Sequence, residues 1–183
     1  MRSIKMTVGG TPIGKSVTWA YPNGQALGLF EIPTYKLTVN GTDAQRRTVT
    51  QDFEVFRFGV LCRDGRTASV VGLAKLQTYT IMAWLPNYRV HSARSMENGG
   101  WQVHGDFLIH DGPDGPNDEV FASIGCIEIM GPNGFVVFND LLISLSGPSS
   151  ASRDEQLVEI GRAKNMTITY QQAKYPPLKK KSR

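Results

Sequence analysis

Cysteine is scarce: the 183-residue chain holds two, Cys62 and Cys126. They allow one disulfide at most, which excludes a small fold stapled by a cysteine framework. Long apolar runs are missing too. None reaches the roughly 18 residues of a membrane-spanning helix, so no span is expected. The opening stretch MRSIKMTVGGTPIGKSV has no apolar h-region, so no cleaved secretory signal is expected. Basic clustering through the chain is also lacking. The net charge is +4, and much of the excess sits in Lys179, Lys180, Lys181 and Arg183. A nucleic-acid surface would spread its cations over the fold, so no nucleic-acid partner is expected.

What is present reads as mainly β, with one or two helices in the C-terminal third. Length and the lack of a linker predict one domain over 1–172, with a basic, mobile tail over 173–183. Short runs at 26–33, 35–39, 53–62 and 68–73 are rich in branched and aromatic residues and are bounded by PNG, NGTD and RDGR turns. The run at 53–62 is apolar on both faces, as in a covered central strand. WQVHGDFLIH at 101–110 reads as a single strand. Trp101, Val103, Gly105, Phe107 and Ile109 share one face; Gln102, His104, Asp106, Leu108 and His110 share the other. A Gly, Pro and Asp-rich loop follows at 111–119, then a strand over 120–130. Helical spacing and Gly147 predict a helix over 133–147. Ser152 with Glu155 three residues on is a capping-box start for a second helix over 149–164. A strand over 165–172 closes the domain.

The stretch ASIGCIEIM leaves Cys126 two roles: a buried small hydrophobe in a strand, or a nucleophile at its start. All three histidines, His91, His104 and His110, fall within the 35 residues before it. A thiol with a free pKa of about 8.5 needs such an imidazole to become a thiolate. His110 precedes the loop and Cys126 follows it, so the two flanking strands can bring both side chains to one end of a sheet. Gly125 lets a carbonyl come close, and the amides of Gly125 and Cys126 can form an oxyanion hole. His104 is read as a substrate contact or a hydrogen-bonded core histidine, and Cys62 as core. The histidine spacing fits no zinc pattern and GPDGPNDE is not an EF-hand, so no metal or cofactor is expected. GPDGPNDE is read as a surface loop rimming the site.

The run IHDGPDGPNDEVFASIGCIEI resembles the active-site signature of the L,D-transpeptidases (YkuD-type). That signature is a histidine, a spacer, then Ser/Thr-x-Gly-Cys and a branched apolar residue. His110 stands 16 positions before Cys126, and Ser123, Gly125, Cys126 and Ile127 match. GLFEIPTYKLTVNG and QDFEVFRFG are similar to the family's early hairpin and core strand. Two positions depart: Ile124 replaces a common His, and Glu128 stands where relatives often carry Arg or Asn.

The resemblance implies a β-sandwich-like fold and a Cys126–His110 pair that acts on peptidoglycan stem peptides through a thioester. His104, Ser123 and Glu128 would contact substrate. The group that orients His110 stays open between the carbonyl of residue 124, Asp106 and Asp111. His91, in a VHS triplet, is a rival catalytic histidine. Without a cleaved signal, a periplasmic substrate suggests an exported antibacterial effector with an immunity protein and a secretion apparatus as partners. The other class is a non-catalytic β-rich structural or adaptor module of a secretion or phage apparatus.

Overall fold

A computed structural model describes residues 1–90, 98–119 and 122–182. The N-terminal strands are β1 (Ile4–Val8), β2 (Gly14–Trp19), β3 (Tyr21–Pro22), β4 (Leu29–Thr42) and β5 (Thr48–Phe56). There follow β6 (Phe58–Cys62), β7 (Ser69–Gly72), β8 (Gln77–Thr80), β9 (Ala83–Leu85), β10 (Gly100–His104), β11 (Phe107–Asp111) and β12 (Ile127–Ile129). Helices α1 (Gly134–Ser146) and α2 (Arg153–Ala163) precede β13 (Met166–Tyr170) and β14 (Lys179–Lys180). The fold is mainly β with two helices in the C-terminal third, as the composition of the segments predicts. Among the described residues no helix is long and apolar enough to cross a membrane.

The main sheet runs β8-β13-β1-β4-β5-β12-β11-β10-β9. β1 lies parallel to β13, so strands from the two ends of the chain are neighbours near one edge of this sheet. β4 serves two partners in turn. Leu29–Thr34 pairs with β2, and the rest pairs with β1 and β5. β3, β6 and β7 form a second, three-stranded sheet.

The helices form because their apolar residues return to one face. Phe135, Phe138, Leu142 and Leu145 of α1 join Leu157 and Ile160 of α2 in the main core, against Ile109, Ile127 and Ile129. Ser152 caps α2 by accepting the Glu155 amide, the half of the capping box that matters most for the orphan amides. A smaller core gathers Phe30, Ile32, Phe56, Val60, Cys62 and Met130, so Cys62 is a core residue, 1% exposed. Both cysteines are free.

Three sequence expectations change. The run at 53–62 is two strands, broken at Arg57, whose buried guanidinium donates to the carbonyls of Gly9, Leu73 and Gln171. The run at 101–110 is a hairpin, β10 and β11, that turns at Gly105-Asp106. The tail is not left as a loose end. Tyr175 donates to the Gly72 carbonyl, β14 adds to β4, and Lys181 reaches Glu119 at 2.6 Å. Lysine in such an edge strand is compatible with pairing because its side chain stays in water.

Candidate active site

The site is built by one register. β11 and β12 are parallel neighbours, with Ile109 opposite Ile127 and His110 opposite Glu128. Alternation then separates the faces. Ile109, Ile127 and Ile129 enter the main core. Cys126, Glu128 and His110 take the other face, and Cys126 stands one residue before β12. His110 and Cys126 therefore share one face of the β11–β12 pair, with Glu128 directly opposite His110 and Cys126 two residues further back along the chain.

The segment before Cys126 is pinned by groups remote in sequence. The Ser123 amide donates to Thr18 Oγ1 at 2.7 Å, its carbonyl accepts from the Val60 amide at 2.9 Å, and its hydroxyl donates to the Phe58 carbonyl at 3.4 Å. Gly59 is what lets β6 come this close: a Cβ there would lie 2.1 Å from the Ser123 carbonyl oxygen. Gly125 has φ +96°, and a Cβ on it would meet Gly72 Cα at 2.8 Å. Both its conformation and its space demand glycine. The 111–119 loop is tied to β2 through Ser16 to the Pro116 carbonyl at 3.1 Å and the Trp19 indole to the Glu119 carbonyl.

His110 is 3% exposed. Its Nδ1 donates to the Asp111 carbonyl at 2.7 Å, so the orienting group is a backbone carbonyl, supplied by residue 111 and not 124. That bond fixes the tautomer and leaves Nε2 as the basic nitrogen. Nε2 lies 4.0 Å from Glu128 Oε1. The Tyr88 ring sits 5.2 Å from the imidazole, centroid to centroid.

Cys126 is 2% exposed. Its sulfur accepts the Leu108 amide at 3.4 Å and lies 3.8 Å from the Asp106 carbonyl. Burial pushes the thiol up to about 12, with the charges of Glu128 and Asp106 adding to the shift and the Leu108 amide opposing it. Glu128 is also buried, 2% exposed. Burial raises its carboxyl to about 8; the Ser123 hydroxyl opposes the shift and Asp111 adds to it.

The remaining expected site residues fall apart from this group or change their neighbours. Ser123 is 0% exposed and acts as an anchor of the loop, so the substrate contact assigned to it has no exposed surface to work with. Glu128 likewise faces His110 from a buried position. His104 sits at the hairpin turn, exposed, with its ring stacked on Tyr79 at 4.8 Å. At about 3.3 Å per residue, the three residues from its partner Phe107 to His110 set the two histidines about 10 Å apart along the strands. His91 lies outside the described residues, as do the first two residues of the 120–130 strand. Two grooves, of about 1150 and 760 Å³, lie beside α2 and beneath the C-terminal segment; Cys126, His110 and Glu128 line neither.

Sequence reasoning missed Thr18 and Tyr88 as partners of the site. Thr18 is 105 residues from Ser123, and no local pattern signals such a contact.

The raised Glu128 carboxyl has a consequence for stability. Between an unfolded value of 4.5 and a folded value of about 8, the native state holds a proton that the unfolded chain has released. Stability contributed by this group is full below the unfolded value and is lost as pH rises through the folded one. Urea unfolding at about pH 5 and about pH 8 should show wild type losing stability relative to Glu128→Gln. Parallel behaviour of the two proteins would contradict the assignment.

No family model matches the chain, and no curated protein or solved structure matches it.

Proposed function

We propose that the protein is a cysteine-dependent acyltransferase or hydrolase acting on peptidoglycan stem peptides. The observation that supports the reading is that His110, with Nδ1 already committed to a carbonyl, lies on the same face of the parallel β11–β12 pair as Cys126, the residue just before β12. The likeness of IHDGPDGPNDEVFASIGCIEI to the L,D-transpeptidase signature supplies the substrate class. In the proposed reaction His110 Nε2 takes the thiol proton, and Sγ attacks the carbonyl carbon of the diamino acid at the third position of the stem. The S–C bond forms, the C–N bond breaks, and the proton passes from His110 to the departing D-residue amine. An amine or water then resolves the thioester and restores the thiol. Deployment as an exported antibacterial effector, acting in the periplasm of a target bacterium and matched by an immunity protein, fits this substrate.

A second reading, a non-catalytic module with Cys126 as core, is favoured by one observation: the thiol is 2% exposed and its pKa is pushed up to about 12. Incubation with disaccharide-tetrapeptide, followed by mass spectrometry, separates the two. Loss or exchange of the terminal D-residue that requires Cys126 supports the enzyme. A protein inert on muropeptides, intact sacculi and added D-amino acids overturns it.

A further inference from the structure

Glu128 is a buried carboxyl set opposite the base of the site, and the reaction above does not use it. Three observations point to a role. The parallel register places it directly beside His110, with Oε1 4.0 Å from Nε2. The other nitrogen of His110 is committed to the Asp111 carbonyl, so the proton chemistry of the ring passes through Nε2 alone. Among the described residues Oε2 has no hydrogen-bond partner, although the side chain is 2% exposed. A buried carboxyl oxygen with no donor is far less costly protonated than charged.

We propose that Glu128 is the positioning residue of this site, holding one proton jointly with His110 Nε2 across an ion-pair separation of 4.0 Å, so that the protonation of the pair and not the imidazole alone decides when the base can accept the Cys126 proton. The inference rests on the reading of Cys126 and His110 as nucleophile and base. The transfer is balanced within the pair: a protonated carboxyl beside a neutral ring becomes a carboxylate beside an imidazolium, and no proton is gained or lost. In the first form His110 is a base. In the second it is not, and the carboxylate also opposes thiolate formation two residues away. Burial holds the Glu128 carboxyl up, to about 8, which favours the first form.

Other titratable groups face the pair. Asp111 lies on the same strand as His110, and Cys126 just before that of Glu128. Asp106 faces Cys126 from the hairpin turn, and Tyr88, with Tyr21 behind it, faces the imidazole. The burial that raises Tyr88 keeps its phenol neutral, so it adds no charge near neutral pH.

The test reads both partners by NMR in the intact protein. Histidine ring nitrogens and glutamate side-chain carboxyl carbons are labelled and followed against pH, with His110 assigned by His110→Asn. In wild type the His110 and Glu128 signals should move together through two shared steps. In Glu128→Gln the ring should titrate in one step, about one pH unit or more below the wild-type last step. The acidic limb of kcat/KM on stem peptide should follow the ring's own step in each protein, a correspondence that loss of packing alone would not produce. A single His110 step at one midpoint in both proteins, or a Glu128 carboxyl that titrates in the ordinary carboxylate range, overturns the proposal. If Glu128→Gln does not fold, the wild-type carboxyl and ring signals decide it. These titrations need no substrate. A pair that titrates together in a protein inert on muropeptides therefore fails the functional reading and leaves the shared proton standing.

Discussion

Replacing Arg57 with methionine should destabilise the fold by about 3 kcal/mol in urea unfolding, the sum of three part-buried carbonyls losing a charged donor at about 1 kcal/mol each. Arg57 is 0% exposed. Its Nε and Nη2 reach the Leu73 carbonyl at 3.0 and 2.9 Å, Nη1 reaches Gly9 at 2.7 Å, and Nη2 reaches Gln171 at 2.5 Å. The guanidinium also lies 5.4 to 5.8 Å from the ring centroids of Tyr170, Phe58 and Tyr35. Burial pulls its pKa down, and the two tyrosines partly offset this. One side chain thus ties the ends of β1, β7 and β13 at the break between β5 and β6. Lysine has a single donor head and no planar fork, so Arg57→Lys should recover only part of the loss. A loss below about 1 kcal/mol for methionine would mean that the carbonyls find other donors.

The second large effect concerns turnover on disaccharide-tetrapeptide. Cys126→Ala should leave none detectable, because the other thiol, Cys62, is buried in the smaller core. His110→Ala should lose about 10²–10⁴-fold, the usual range for a general base. Both variants should keep the fold. Cys126 contributes only a sulfur to its site, and a Cys-to-Ala change of that size removes on the order of 1 kcal/mol. Variants that stay folded and lose turnover separate chemistry from structure. Variants with wild-type turnover would assign Cys126 to the core.

The residues differ in how plainly they announced their places. The helices were legible because 3.6-residue spacing and a capping box are local signals, and α1 and α2 fall inside the predicted 133–147 and 149–164. That His110 lies opposite the face of Ile109 was legible because alternation along a strand survives whatever the strand pairs with. The hairpin at 101–110 has a local signal, the two-residue turn pair Gly105-Asp106, which continuous alternation on both sides masks. Trp101 and Ile109 nonetheless share a face because they are register partners. The break at Arg57 had no signal, since Phe56 and Phe58 are both 0% exposed and read as one apolar run. Composition made the last residues a mobile tail; their places depend on Gly72, Glu119 and β4, all remote in sequence. Glu128 stands out in the sequence as an anion where the resembling family often carries Arg or Asn, yet its neighbour follows only from the β11–β12 register.

The claim that Cys126 is a nucleophile served by His110 is tested most directly by looking for the acyl-enzyme itself. Wild-type protein mixed with a tetrapeptide stem, quenched in acid and analysed intact by mass spectrometry, should gain the mass of the acyl tripeptide. Peptide mapping should place that mass on Cys126, and Cys126→Ala should show no adduct. An unmodified Cys126 in a protein that nevertheless releases the D-residue, or an adduct on Cys62, would contradict the account.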